Sequence, residues 1–246
     1  MGPALALSTW AQDVKILVVD VGGTQVKLFA TDGPHSGRFD SSPTLTPEDL
    51  TTQVRDLTRD WTYDVVSVGI PGPVDRRGVS GEPGNLGEGW VAFDFEDALE
   101  RPVRVVNDAV LQALGAYHGG RMLFLGLGTG LGSTLVSEHV VVPLELGCIP
   151  IETGKTMADM VGSEGRQRLG HDDWLENVQR VIEVLKEATS ADYVVLGGGN
   201  ARHVDPLPSD TKRGGNEDAF EGGVRLWEDV VEPHDRPPAK AWRVVR

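Results

Sequence analysis

Three glycine-rich turns follow apolar segments of the chain, and their backbones are suited to binding phosphate. They are Gly22-Gly23-Thr24, Gly128-Thr129-Gly130 and Gly197-Gly198-Gly199. Successive N–H groups in such turns form an anion-binding concavity without any basic side chain, and glycine lets the anion approach closely. Each turn taken alone is typical of a tight connection, whereas three of them together favour a phosphate site.

Two better-known phosphate motifs do not fit the sequence. Gly154-Lys155-Thr156 resembles the end of a P-loop, but the glycine required five positions earlier is Ile149. A dinucleotide fingerprint counted from Gly126 would need its third glycine at Leu131. The turns therefore predict a phosphate site of another kind.

Two aspartates stand at the ends of apolar segments, where a carboxylate is costly unless it is paired, solvated or bound to a ligand. Asp20 follows Ile16 to Val19, and Asp108 follows the segment RPVRVVN. Asp20 is a candidate ligand for Mg²⁺, directly or through water. Asp108 is a candidate base for an attacking hydroxyl, and it also opens a helix that it could cap.

The elements that carry these residues repeat. Ile16 to Val19 and Val26 to Ala30 predict two strands of a hairpin around the first glycine turn. The same plan of strand, glycine turn and strand returns in residues 123–139, where Leu123 stands 106 positions after Leu17. The repeat predicts two lobes of similar build, with a phosphate cleft between them.

Residues 46–61 predict an amphipathic helix. Thr46 suits the N-cap and Pro47 the first helical position. The predicted buried stripe consists of Leu50, Val54, Leu57 and Trp61. Residues 75–90 are rich in glycine and lack periodicity, which indicates a long loop.

Composition restricts the partners. The 246 residues carry a formal net charge of −14, which argues against nucleic acid, because phosphate neutralisation needs clustered Lys and Arg. No cluster of Lys and Arg is obvious in the sequence. No apolar run is long enough to span a membrane, and the single cysteine, Cys148, excludes an intrachain disulfide. We expect a cytoplasmic protein.

The order of several motifs resembles the ROK sugar kinases, and most closely their polyphosphate-dependent glucokinase branch. These motifs are VVDVGGTQVK, GIPGPV, GNLGEGW, VVNDA, LGLGTGLGSTLV, PLELG and VVLGGGN. The resemblance extends from residue 16 to about residue 227. It implies an α/β, actin-like (ribonuclease H-like) duplicated fold, with two lobes of mixed sheets around a cleft. We accordingly expect lobes at 14–107 and 108–230, followed by an extended tail at 231–246.

The resemblance also implies a role for each matching residue. Asp108 would be the catalytic base, and Asp20 would serve the metal, Mg²⁺. The residues implied to bind donor phosphates are Gly22, Gly23, Thr24, Gly128, Thr129, Gly130 and Gly198. Those implied to bind the sugar are Asn85, Asn107, Asp108, Glu145 and Asp159. ATP or polyphosphate would be the phosphoryl donor, and a homodimer is implied.

Two departures from the family pattern bear on the acceptor. Cys148 stands where the family has a histidine that touches the sugar, and Asp159 best matches the position of a glutamate. A thiol is a weaker hydrogen-bond partner than an imidazole, and the side chain of aspartate is shorter than that of glutamate. Both changes alter the hydrogen bonds that the site can offer to a sugar. The expected function is a sugar kinase, with a catalytically inactive sugar-binding or sensor protein on the same fold as the alternative.

Overall fold

The computed structural model describes residues 14–152, 154–215, 217–228 and 242–244. The strands are β1 Ile16–Val21, β2 Gln25–Ala30, β3 Ser36–Asp40, β4 Val65–Ile70, β5 Val74–Asp75, β6 Gly78–Val79, β7 Val103–Asn107, β8 Arg121–Leu127, β9 Leu131–Ser137, β10 Val140–Leu144, β11 Pro150–Glu152, β12 Lys155–Thr156, β13 Tyr193–Gly197, β14 Thr211–Arg213 and β15 Arg243–Val244. The helices are α1 Pro47–Leu57, α2 Phe95–Leu99, α3 Asp108–Ala116, α4 Met157–Val161, α5 Ser163–Leu169, α6 His171–Ala188 and α7 Asp218–Arg225, with 3₁₀ turns at Leu146–Cys148 and Ala201–His203.

The first large sheet has the strand order β3-β2-β1-β4-β7. β1 pairs antiparallel with β2 and parallel with β4, and β2 pairs antiparallel with β3. All six residues of β1 and all six of β4 are buried. Continuous burial is typical of central strands that are covered on both faces. The predicted hairpin around the first glycine turn is confirmed.

The second large sheet repeats this arrangement in the order β14-β13-β8-β9-β10-β15. β8 pairs antiparallel with β9 and parallel with β13, as β1 does with β2 and β4. β9 pairs antiparallel with β10, and β13 pairs parallel with β14. The predicted fold class, a duplicated α/β fold with mixed sheets, is confirmed.

The chain divides into two compact units. The first comprises residues up to 106 and a C-terminal segment that begins at Gly223, and the second comprises residues 107–222. The segment joins the first unit because Ser67 Oγ donates to the Gly223 carbonyl (2.6 Å) and accepts from Trp227 Nε1 (2.9 Å). Hydrogen bonds between residues about 160 positions apart cannot be predicted from local sequence patterns. Our predicted division at 107/108 therefore assigned this segment to the second lobe. The predicted tail, 231–246, lies outside the described residues except for 242–244.

Helix α1 begins as predicted, but its buried stripe is shorter. The Thr46 side chain accepts a hydrogen bond from the Asp49 amide, and Pro47 opens the helix. Leu50 and Val54 are 1% exposed, whereas Leu57 is 44% exposed. The prediction that Leu57 is buried was therefore wrong, because the buried face of the helix continues from Val54 to Thr58, which is 2% exposed, and Leu57 lies beside that face.

The glycine-rich stretch 75–90 is a loop preceded and interrupted by the small β5-β6 hairpin. The loop is closed by the Ala92 amide, which donates to the Val79 carbonyl (3.1 Å). Within the described ranges, no helix combines the length and apolar character that crossing a membrane requires.

Candidate active site

The first glycine turn joins β1 to β2 in the first unit. The Gly22 amide donates to the Gln25 carbonyl at 2.9 Å, which closes the turn. A Cβ at Gly22 would lie 3.0 Å from the same oxygen, so a side chain would require this closely packed turn to shift. The requirement for glycine at this position is thus steric, and it keeps the backbone of the turn bare.

Asp20 lies on β1 immediately before this turn and is 7% exposed. It stands opposite Lys27 in the β1-β2 register. Burial raises the pKa of the Asp20 carboxyl to about 6, and the positive charge of Lys27 offsets part of that increase. A buried carboxylate with so little compensation is ready to bind a cation.

Asp20 fits a Mg²⁺ site in which the protein supplies few of the ligands, as is usual in phosphoryl-transfer enzymes. Among the described residues, no group of three or more His, Cys, Asp or Glu side chains could hold a metal ion by itself. Mg²⁺ commonly uses one or two carboxylates and takes its remaining ligands from water and substrate phosphates. Asp20 would supply the single protein carboxylate of such a site.

Asn85 lies in the loop between β6 and α2, also in the first unit. Buried Pro83, Leu86 and Trp90 anchor this loop, and Asn85 is half-buried between them. The carboxylate of Glu82 accepts hydrogen bonds from the amides of residues 89–91, at 3.3, 3.1 and 3.4 Å. Glu82 therefore ties the far side of the loop to its beginning.

In the second unit the turn from β8 to β9 is held by two side chains that the sequence analysis did not single out. The Gly128 carbonyl accepts from the Ser163 amide (3.0 Å), Ser163 Oγ (2.9 Å) and Asn200 Nδ2 (3.1 Å). Asn200 Nδ2 also lies 3.1 Å from Ser163 Oγ. These three donors and the hydrogen bond from the Gly128 amide to the Gly130 carbonyl (3.2 Å) hold the Gly128-Thr129-Gly130 turn in one conformation.

The third glycine turn packs directly on the second. Gly198 has φ +78°, and a Cβ there would lie 2.5 Å from the Leu127 carbonyl oxygen. The Asn200 amide donates to the same oxygen at 2.9 Å. Backbone conformation and close approach therefore both require glycine at 198, whereas a Cβ at Gly199 would meet nothing within 4 Å.

Asp108 and Asn107 open α3 beside the β8-β9 hairpin. The Ala109 amide donates to Asn107 Oδ1 and to Asp108 Oδ1, each at 2.9 Å. A Cβ at Gly132 would lie 3.2 Å from Ala109 Cβ, so the start of α3 rests closely against β9. Asn107 is therefore the N-cap of α3, and Asp108 is its first residue, whose carboxylate also accepts from the Ala109 amide.

Glu145 is held on the other side of β9 by a buried serine. Ser133 Oγ donates to the Leu144 carbonyl (2.8 Å) and accepts from the Leu146 amide (3.0 Å), so it brackets Glu145. A Cβ at Gly147 would lie 2.7 Å from the Leu131 carbonyl, which again demands glycine. Partial burial raises the pKa of the Glu145 carboxyl, although its side chain still reaches solvent.

Asp159 and Cys148 complete the set of expected residues in this unit. Asp159 Oδ2 accepts from the Thr156 amide (2.8 Å) and from Thr156 Oγ1 (2.9 Å), which forms a capping box on α4. These hydrogen bonds hold the pKa of Asp159 below its usual range. Cys148 is an exposed free thiol at the end of the 3₁₀ turn. One Asp159 oxygen is therefore already committed to the helix cap.

The second unit thus gathers its predicted residues around the β8-β9 hairpin: Asn107, Asp108, Gly128, Thr129, Gly130, Glu145, Asp159 and Gly198. The first unit carries Asp20, Gly22, Gly23, Thr24 and Asn85. Ser133, Ser163 and Glu82 were missed, since nothing in the local sequence distinguishes them. Asn200 closes the motif VVLGGGN, which was the only signal available for it.

The chain is similar to known sugar kinases in sequence and in fold. No protein-family model matches it. It is 25% identical over 212 residues to a polyphosphate glucokinase of Mycobacterium leprae, covering 76% of this chain and 64% of that protein. The chain therefore spans slightly less than two thirds of the length of this relative.

Two solved structures share the fold. The inorganic polyphosphate/ATP-glucomannokinase of Arthrobacter sp. strain KM has a TM-score of 0.76 and 24% identity, over 87% of this chain and 98% of that chain. A ROK family glucokinase of Streptomyces griseus, solved with glucose and AMPPNP, has a TM-score of 0.67 and 16% identity, over 86% and 98%. The chain is thus similar to polyphosphate glucokinases in sequence, and it shares the fold of solved ROK family sugar kinases.

Proposed function

We propose that the protein is a sugar kinase that transfers a terminal phosphoryl group from polyphosphate or ATP to a hexose hydroxyl. The observation that carries the proposal lies in the second unit. There a bare glycine turn, the carboxylate of Asp108 and the bracketed Glu145 surround one β-hairpin. A phosphate-binding backbone, a base and a hydrogen-bonding carboxylate are the groups that such a transfer needs.

In this proposal Asp108 is the catalytic base. It accepts the proton of the sugar hydroxyl while the sugar oxygen forms a bond to the terminal phosphorus. The bridging P–O bond of the donor breaks, and the leaving group is ADP or a polyphosphate shortened by one unit. Asn107, Glu145 and Asn85 hold the other sugar hydroxyls, and the turns at residues 22–24 and 128–130 hold the donor phosphates.

Asp20 would hold Mg²⁺, which neutralises charge on the donor phosphates when it is bound. The raised pKa of the Asp20 carboxyl supports this assignment, because a nearby cation would relieve the cost of its buried negative charge. We also propose that the protein acts in the cytoplasm, which is consistent with its single cysteine. The family resemblance further implies that it forms a homodimer.

A specific observation favours the alternative, a sugar-binding protein without catalysis. Asp159 Oδ2 is occupied by the cap of α4, and Cys148 cannot replace the hydrogen bonds of an imidazole. Both residues lie at positions that the resemblance assigns to sugar contacts. A protein that kept the glycine turns but changed these contacts could bind a sugar without phosphorylating it.

The test is phosphoryl transfer from ATP, and separately from polyphosphate, to hexoses and amino sugars with Mg²⁺. Asp108→Asn should lower kcat by about 10²- to 10⁴-fold, the usual contribution of a general base. Asp173→Asn, at the exposed start of α6, is the matched control and should leave the rate unchanged. Sugar binding by calorimetry without turnover on any sugar would overturn the kinase and support the alternative.

A further inference from the structure

Strand β3 leaves one edge of the first large sheet open. It stands at the end of the order β3-β2-β1-β4-β7, and no other strand of the described residues pairs with its outer side. Its side chains alternate between exposed and half-buried along Ser36–Asp40. An open edge presents N–H and C=O groups without strand partners, which makes it a template for pairing with another chain.

The register with β2 shows which backbone groups of β3 point outward. The Ser41 amide donates to the Thr24 carbonyl at 3.0 Å, and the Ala30 amide donates to the His35 carbonyl at 3.1 Å. Because the backbone groups of successive strand residues point in alternate directions, the odd-numbered residues of β3 bond to β2. The N–H and C=O groups of its even-numbered residues therefore point to the open edge.

Two even-numbered residues of β3 carry opposite charges. Arg38 and Asp40 are both exposed, and neither forms an ion pair with another of the described residues. Arg38 stands directly opposite Lys27 in the β2-β3 register, and like charges in that position destabilise a sheet. A carboxylate on the outer side of Arg38 would offset this repulsion.

A second copy of this chain would supply that carboxylate. Two β3 strands that pair antiparallel about Phe39 place Arg38 of each copy opposite Asp40 of the other. The facing residues are then even-numbered on both strands, so their outward backbone groups bond in pairs. A pairing centred on Arg38 would instead set two guanidinium groups opposite each other. Charge complementarity thus selects one register, and two-fold symmetry forms the Arg–Asp pair twice.

An aromatic stack beside the edge would add apolar contact area. Trp61 packs over Gly37 of β3, where a Cβ would lie 3.4 Å from the nearest ring atom. His35 stacks on Trp61, with the ring centroids 5.2 Å apart and the planes inclined by 18°. Trp61 is only half-buried and His35 is exposed. A strand paired with β3 would cover more of Trp61, because this ring lies over the edge strand itself.

We propose that β3 is the surface through which this protein associates with itself, and that two copies pair antiparallel through β3 into one continuous sheet. The inference assigns a surface to the homodimer, which the family resemblance does not locate. It does not depend on kinase activity, because assembly is measured without substrate. Since the ion pairs would lie at an exposed edge, we expect a reversible dimer that weakens as the salt concentration rises.

The experiment follows the molecular mass of the full chain by analytical ultracentrifugation, over a series of protein and salt concentrations. Arg38→Asp sets two carboxylates opposite each other at both symmetric positions, and Asp40→Arg does the same with guanidinium groups. Each variant alone should raise the dissociation constant of the dimer about tenfold or more. An equimolar mixture of the two variants should restore the affinity of the parent, because every facing pair then joins a carboxylate to a guanidinium.

The matched control is Arg59→Asp. It makes the same change of charge at an exposed arginine of the first unit, whose guanidinium pairs with Asp56 of its own chain at 2.8 Å. This variant should leave the dissociation constant unchanged. Circular dichroism of each variant checks that the fold is intact.

Each outcome decides the inference. Weaker dimers in both single variants, with recovery in the mixture, support pairing through β3 whether or not any sugar is phosphorylated. A parent chain that stays monomeric at every concentration would overturn it, and would indicate that the edge charges prevent pairing or that another segment of the same chain covers the edge. A dimer of equal affinity in the parent and both variants would overturn it as well, since another surface would then hold the copies together. Weakening without recovery in the mixture would overturn the register.

Discussion

Ser133 and Thr134 are adjacent residues on β9, and we predict that removing the Ser133 hydroxyl lowers the free energy of unfolding whereas removing the Thr134 hydroxyl does not. Both are buried, at 2% and 0% exposure, and point to opposite faces of the sheet. Ser133 Oγ makes two hydrogen bonds, to the backbone on either side of Glu145. Thr134 Oγ1 is buried and has no hydrogen-bond partner among the described residues.

The magnitudes follow from these contacts. Ser133→Ala removes two neutral hydrogen bonds, each with a net contribution of about 1 kcal/mol, and leaves a carbonyl and an amide short of partners. We expect the free energy of unfolding to fall by about 2 to 3 kcal/mol. Thr134→Val replaces an unpartnered hydroxyl by a methyl group of similar shape, so stability should stay constant or rise by up to about 1 kcal/mol.

Urea unfolding of both variants, followed by circular dichroism and by tryptophan fluorescence, measures the difference. Trp174 reports on the second unit, where both substitutions lie, and the two units need not unfold together. A loss below about 0.5 kcal/mol in Ser133→Ala, or a clear loss in Thr134→Val, would contradict the hydrogen-bond argument. If Glu145 binds the sugar as proposed, Ser133→Ala should also raise the KM for sugar without changing the KM for the donor.

Two further predictions concern the first unit. The pKa of Asp20 is raised from 3.8 to about 6, so its buried charge destabilises the fold by up to about 3 kcal/mol above pH 6. Asp20→Asn should therefore be more stable to unfolding than the parent at pH 8, and this difference should disappear below about pH 4. The substitution should also abolish phosphoryl transfer. Equal dependence of stability on pH in the two proteins would refute the argument. Glu82→Gln, which weakens the bonds to the amides of residues 89–91, should raise the sugar KM about tenfold through displacement of Asn85 and leave the donor KM unchanged. Glu88→Gln, in the same loop, is its control, and an equal effect of the two would show that Glu82 has no positioning role.

Local features of the fold were predictable because they depend on residues close together in the sequence. The start of α1 needs only the Thr46 side chain and Pro47 in the first turn. The hairpin of β1 and β2 needs only two apolar segments and the glycine turn between them. The same patterns at Leu123 and beyond identified the duplicated plan. Where a pattern reached the end of its element it failed, as at Leu57, since exposure there depends on what packs beyond the helix.

The candidate site likewise has features that the sequence predicts and features that depend on the tertiary structure. The sequence by itself determined the glycine turns, the aspartates at the strand ends and their order along the chain, because a bare backbone turn after an apolar strand is a local requirement of sterics and solvation. Only the tertiary structure decided which groups support them, namely Ser163 and Asn200 on the Gly128 carbonyl and Ser133 around Glu145. These contacts join residues that lie far apart in the sequence, and their energies depend on distance and burial in space, which no periodicity along the chain encodes.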